Sequence, residues 1–185
     1  MVTIENLLSE NYTKGYLDRR TTVNDQLKYS SFENNLVSIS NIKLVEGDGV
    51  DDLTNSFAAA IWCTDFIMES LSYSLYDVHF DSPFQDGNFQ GIFDLDNETI
   101  TPTSLYYGLL FAILVGDDFP KMVIPYMSPE YSNSIKVWGF EATLKFKFLI
   151  LNKDQDPSLN GTVRVQILSS KQAKATCIYM KAPSL

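Results

Sequence analysis

LVSISNIKLVEGDGVDDLTNSFAAAIWCTDFIMESL, residues 36–71, runs from a strand through a loop into a helix and sets the architecture of the chain. It opens as a short strand in which Val37 and Ile39 alternate with Ser38 and Ser40. An acidic, glycine-bearing loop then leads into a long helix. Asp52 or Thr54 can cap that helix, and acidic residues at its start suit the helix dipole. Phe57, Ile61, Met68 and Leu71 fall on one stripe, with Ala58, Trp62 and Phe66 one row over. That width, with small residues at Ala58–Ala60, describes a helix buried against a sheet. Tyr76, Val78 and Phe80 alternate with Asp77, His79 and Asp81 in a second strand, which the intervening helix makes parallel to the first.

The flanking segments extend this pattern on both sides. Residues 4–29 carry Ile4, Leu7, Leu8, Tyr12, Tyr16, Val23 and Leu27 near helical spacing, with Gly15 and Thr21–Thr22 as weak points, and Asn34–Asn35 marks a turn. A polar, aromatic excursion from Ser82 to Thr101 is long for a structureless connection. Pro102 and Thr103 then start a helix through Leu105, Leu109, Ala112 and Ile113, stopped by Gly116. Beyond about Pro120 the period becomes two: Ile135 and Val137; Leu144, Phe146 and Phe148 against Lys145 and Lys147; Val163, Val165 and Ile167; Ala175, Cys177 and Tyr179. NKDQDPSLNG, residues 152–161, reads as a hairpin loop. The expected fold class is therefore α/β plus all-β, with βα units over residues 1–119 and an antiparallel β-sandwich over 120–185.

Composition narrows the function. The 185 residues are 45% hydrophobic and 20% charged, as in an ordinary folded protein, with a formal charge of −9. Asp48, Asp51, Asp52, Asp94 and Asp96 contribute to a field that repels nucleic acid and polyanionic polysaccharides. Cys63 and Cys177 read as buried free thiols, one in an apolar helix and one in an alternating strand. A single histidine, with no CxxC, HExxH or glycine-rich phosphate loop, leads us to expect no metal site and no cofactor. The acidic loop Glu46–Asp52 lacks EF-hand spacing and reads as a solvated helix start rather than a Ca²⁺ site. The opening VTIENLLSENYTKGYLDRR shows no signal-peptide pattern, and no apolar run reaches membrane-spanning length. Sequons at Asn11, Asn97 and Asn160 lean slightly toward a secretory origin.

Five segments, in order, carry a family resemblance: TIENLLSENY, NSFAAAIWCTDFIM with Trp62 and Asp65, VHFDSP, PTSLYYGLLFA, and LILNKD with the terminal KAPSL. They resemble the C-terminal portion of glycoside hydrolase family 79, the β-glucuronidase and heparanase-like retaining enzymes. The resemblance implies the last two βα units of a TIM-type (β/α)8 barrel followed by an appended sandwich, and a secreted or extracellular setting. It also implies a Glu nucleophile at the end of the seventh strand, in a motif resembling S-E-x-N-S. Counting back from Phe57 puts Asn41 on that Glu and Lys43 on the following Asn, while Asp81 stands where the family has a His and His79 lies two residues earlier. An uncharged amide is a very poor nucleophile and cannot stabilise oxocarbenium charge as a carboxylate does, and the second carboxyl group that a retaining enzyme needs about 5 Å away belongs, in the family, to a fourth strand with no equivalent in this chain. Glu46 would need a different backbone path to stand in.

The expectation is a truncated, non-catalytic relative that binds carbohydrate or serves a structural role, with Asn41, Lys43, His79 and Asp81 as substrate-binding candidates. The alternative is part of an active retaining glycosidase completed by another chain or by an omitted N-terminal half. A structural role in a larger assembly, with the sandwich as docking surface, is a third reading. Tyr106 and Tyr107 suit either ligand stacking or packing. Two parallel strands cannot close a barrel, so a second copy or a complementary chain is an expected partner.

Overall fold

The computed structural model describes residues 2–28, 37–73, 75–82, 91–96, 98–116, 121–123, 125, 134–142, 145–155 and 176–181. The N-terminal segment forms two helices rather than one: α1 (Ile4–Leu8) and α2 (Glu10–Lys28). The break falls at Ser9, in extended conformation, whose Oγ donates to the Asn6 carbonyl at 2.7 Å. A serine that satisfies a local carbonyl in this way ends a helix more effectively than Gly15 does within one.

The next strand, β1 (Ser38–Ile42), pairs in parallel with β2 (Asp77–Phe80) across the intervening α3 (Phe57–Ser72). The start of α3 lies later than the sequence suggests, with Ser56 at the cap position. Thr54 instead closes the preceding turn, its Oγ1 accepting from the Val50 N–H at 3.0 Å. Ile39 and Ile42 from β1 join Trp62, Cys63 and Phe66 from α3 in the main core, with Val78 and Phe80 of β2 packed against it. Trp62, Phe66 and Phe80 meet ring to ring at 5.1–6.1 Å.

Part of the excursion after β2 is a hairpin, β3 (Phe93–Asp96) with β4 (Thr99–Pro102), which turns through Glu98 at φ +68°. It delivers the chain to α4 (Ser104–Gly116), which lies against α3. Gly108 sets how close the two helices come, since a Cβ there would sit 2.5 Å from the Ala60 carbonyl oxygen. The Thr64 hydroxyl lies within hydrogen-bonding distance of both helices' carbonyls, Ala60 at 2.9 Å and Gly108 at 3.0 Å.

The C-terminal part contains β5 (Lys121–Val123), β6 (Ile135–Ala142) and β7 (Lys145–Asn152), antiparallel in that order. A second apolar cluster seats this sheet on the helices: Phe140, Leu149 and Leu151 against Met68 and Ala112. The strand expected at 163–167 and most of the hairpin loop 152–161 lie outside the described residues. Residues 176–181 adopt no regular strand, and Cys177 is exposed, which corrects its reading as a buried thiol. Cys63 is buried, and burial pushes its thiol up from the ordinary value. Among the described residues no sheet closes on itself, and no helix is long and apolar enough to cross a membrane.

Candidate functional site

The C-terminal ends of β1 and β2 gather the polar residues singled out above. Register pairs Ile39 with Val78 and Ile42 with Phe80, so Ser40 and Asn41 together oppose His79. This is a β-bulge, and it keeps Ile39 and Ile42 both facing the core while Ser40 and Asn41 stay exposed. Asn41 takes φ +59°, the left-handed region, which asparagine tolerates better than other non-glycine residues. The geometry thus gives Asn41 a backbone reason to be asparagine that is independent of any chemistry.

The face of this strand pair turned away from α3 is polar throughout: Ser38, Ser40, Asn41, Asp77 and His79 are all exposed. His79 Nε2 lies 2.9 Å from Asp77 Oδ2. At the strand ends Lys43 Nζ pairs with Asp81 Oδ2 at 3.0 Å, and the Asp81 N–H donates to the Ile42 carbonyl at 2.9 Å. Lys43 and Asp81 are thereby joined directly, while Asn41 and His79 are brought opposite each other by the register. Glu46 is exposed in the following loop, and its charge, second to burial, raises the Tyr12 hydroxyl pKa. That loop is tied to α2 by the Tyr12 hydroxyl, which donates to the Leu44 carbonyl at 2.5 Å. Tyr106 packs on Phe93 with ring centroids 5.4 Å apart, and Tyr107 is exposed.

This arrangement can donate and accept hydrogen bonds, but its charges are already paired with each other. Among the described residues no group of three His, Cys, Asp or Glu side chains is placed to hold a metal ion.

A second polar constellation, which the sequence reading left without a role, is far more buried. Lys136 Nζ of β6 contacts Glu10 Oε2 at 2.8 Å, Asp65 Oδ1 at 3.0 Å and Glu69 Oε2 at 2.7 Å. Lys153 Nζ, just past β7, contacts Glu10 Oε1 at 2.6 Å and Asp65 Oδ2 at 2.7 Å. Trp138 Nε1 donates to Asp65 Oδ1 at 3.1 Å. Lys14, 3.5 Å from Glu10, adds a third cation to match the three carboxylates. Burial pushes the Glu10 carboxyl up, but hydrogen bonds from Lys136 and Lys153, and then their charges, outweigh it and hold the group at about 2. Burial lowers the Lys136 pKa, and the charge of Asp65 with hydrogen bonds to Glu10 and Glu69 more than reverses that.

Each carboxylate of the cluster is in contact with an ammonium group. The cluster fastens the C-terminal sheet to α2 and α3. One sequence signal pointed to it: Asp65 and Glu69, one turn apart, interrupt an otherwise apolar helix. Its partners at Lys136 and Lys153 came from a distant hairpin that no local spacing connects to them.

No protein-family model matches the chain, and neither does any curated protein.

Proposed function

We propose that the chain is a non-catalytic derivative of a retaining glycoside hydrolase of the family 79 type, its βα units descended from the end of a (β/α)8 barrel, and that it binds carbohydrate through the open end of β1 and β2. One observation carries the loss of catalysis. The strand end offers an asparagine in the left-handed region and a carboxylate, Asp81, already paired with Lys43. Glycoside hydrolysis with retention requires two free carboxyl groups, one to attack and one to pass the proton. Exposed hydroxyl and amide groups at Ser38, Ser40 and Asn41 suit the hydroxyls of a neutral sugar, and Lys43, compensated by Asp81, is no free cation for a polyanionic chain.

A second reading has the chain completed into a working barrel by another polypeptide. In its favour, β1 and β2 each pair with one strand only among the described residues. Against it, the face that would line the barrel bears Ser38, Ser40, Asp77 and His79, whereas barrel interiors are filled mainly by bulky branched side chains.

The test is NMR titration of the isotopically labelled chain with neutral oligosaccharides and, separately, with glucuronic acid. Shifts confined to Asn41, His79 and their strand neighbours on adding neutral sugar support the reading. No shift at those residues at tens of millimolar sugar removes the carbohydrate role.

A further inference from the structure

The buried charge cluster holds a juxtaposition that its fastening role does not use. Lys153 Nζ lies 2.7 Å from Asp65 Oδ2, and the two side chains are only 6% and 2% exposed. The root of the lysine is fixed as well, its backbone N–H donating to the Ser134 carbonyl at 2.6 Å. On the other oxygen of the carboxyl group, Trp138 Nε1 and Lys136 Nζ reach Oδ1 at 3.1 Å and 3.0 Å. Glu10 Oε1 touches Lys153 Nζ at 2.6 Å, while Oε2 of the same carboxylate touches Lys136 Nζ at 2.8 Å. Acyl transfer needs these parts: a nucleophile, a base in contact with it, and donors aimed at the oxygen on which charge develops.

We propose that Lys153 and Asp65 condense into an intramolecular isopeptide bond that joins α3 covalently to the end of β7. Lys153 first passes a proton from Nζ to Asp65 Oδ2 across their contact, giving a neutral amine and a neutral acid. Burial favours that exchange, because it removes two desolvated charges. The amine lone pair then attacks Cγ, the C–N bond forms, and the carbonyl π pair moves onto Oδ1, where Trp138 and Lys136 hold the charge. Glu10 takes the surplus proton from the nitrogen and delivers it to Oδ2. The Cγ–Oδ2 bond breaks, Oδ2 leaves as water, and the electron pair on Oδ1 re-forms the carbonyl. One ammonium and one carboxylate become one amide and one water, and Glu10 and Lys136 end as they began. Packing that holds the two groups in contact supplies an effective concentration of about 10⁵ M or more, which offsets the advantage that bulk water gives to hydrolysis. Lys136 and Glu69 lie equally close, at 2.7 Å, but that lysine is more exposed, at 14%, and is shared among three carboxylates. Loss of the Asp65 and Lys153 charges also leaves the remainder matched, Glu10 and Glu69 against Lys136 and Lys14. The bond would span 88 positions of the chain and hold the C-terminal sheet whatever the salt or acid. None of this rests on the carbohydrate reading.

Intact-mass spectrometry of the purified, denatured full chain tests the proposal, and the wild type alone suffices for it. The chain should be lighter than its sequence by one water, and protease digestion should release a branched peptide carrying both Asp65 and Lys153. Asp65→Asn should close the same bond with loss of ammonia, so that the two cross-linked proteins have equal mass. Lys153→Met should keep its full mass. Glu10→Gln should be largely uncross-linked when isolated in the same way, since loss of a general base slows such a step about a hundred-fold or more. Circular dichroism checks that each variant is folded. Asp48 next to Gly49 can also lose water, by closing its side chain onto the following amide, and the digest tells the two losses apart. A folded wild-type chain that keeps its full sequence mass after days at neutral pH overturns the proposal. So does a dehydration that maps to Asp48–Gly49 alone, or a branched peptide that joins a different pair of residues.

Discussion

The molecule contains two groups of paired charges that are alike in chemistry and opposite in setting. At the ends of β1 and β2 the ion pair is Lys43–Asp81, a single contact at the surface, with His79 Nε2 beside Asp77 as a second polar contact. Between α2, α3 and the C-terminal sheet, Glu10, Asp65 and Glu69 converge on Lys136 and Lys153, with the side chains of Asp65 and Lys153 only 2% and 6% exposed. Water screens the first group, so its pairs add little stability and its polar atoms stay available to a ligand. Desolvation makes the second group mandatory, because each charge that loses its partner is stranded in low dielectric. Charged residues in this chain thus divide by burial into fasteners and contacts, and charge alone would have misassigned them.

The largest effect is expected of Asp65→Ala, which leaves Lys153 with Glu10, leaves Lys136 with Glu10 and Glu69, and removes the acceptor of the Trp138 N–H. It should cost about 3 kcal/mol or more in urea unfolding, the penalty of a broken buried pair. A loss under about 1 kcal/mol would mean that water reaches the cluster and that it resembles the strand-end pairs.

Acid separates the two regions next. The Glu10 carboxyl is held at about 2 in the folded chain against an ordinary value of 4.5. A depressed carboxylate contributes stability that is complete above the unfolded value and is lost as pH falls through the folded one. Stability should therefore decline between about pH 4.5 and 2, and Glu10→Gln should flatten that decline while lowering stability at neutral pH. Thermal melts of both proteins across this range read the slope directly.

Lys43→Met and Asp81→Asn should each change unfolding free energy by no more than about 1 kcal/mol, as expected of a half-exposed pair. Their larger effect should be on sugar-induced shifts at the strand ends. The smallest stability change is expected at Asn41. Asn41→Gly relieves a left-handed backbone and should be neutral or stabilising by about 0.5 kcal/mol, whereas Asn41→Glu should cost about 1 kcal/mol from the same backbone. Equal stability of the two variants would show that the left-handed conformation is not imposed by the bulge.

The sequence made the α3 region readable because two periodicities coincide there: serines alternating with Val37 and Ile39, then a broad apolar face from Phe57 onward. α4 was readable from its apolar run and from Gly116, its last residue, but Pro102 ends β4 rather than starting the helix, which begins at Ser104. The break at Ser9 was not, since one hydroxyl bonding a carbonyl decides it and helical spacing continues on both sides. At the candidate site, proximity of Asn41, Lys43, His79 and Asp81 followed from their positions at adjacent strand ends. The bulge that sets Asn41 opposite His79 and gives it a positive φ is a tertiary compromise between two core contacts, Ile39 and Ile42, and leaves no mark in spacing. The buried cluster escaped notice because its members come from Glu10, α3 and the β6–β7 hairpin, more than 60 residues apart at several contacts.

On the proposed reading, an amide at position 41 and an Asp81 paired with Lys43 leave the strand ends unable to open a glycosidic bond. Incubating the purified chain with a fluorogenic aryl β-glucuronide, and following released fluorophore over hours, tests it most directly. Release no faster than in buffer is expected. Steady turnover by the unmodified chain, abolished by Asp81→Asn, would contradict it.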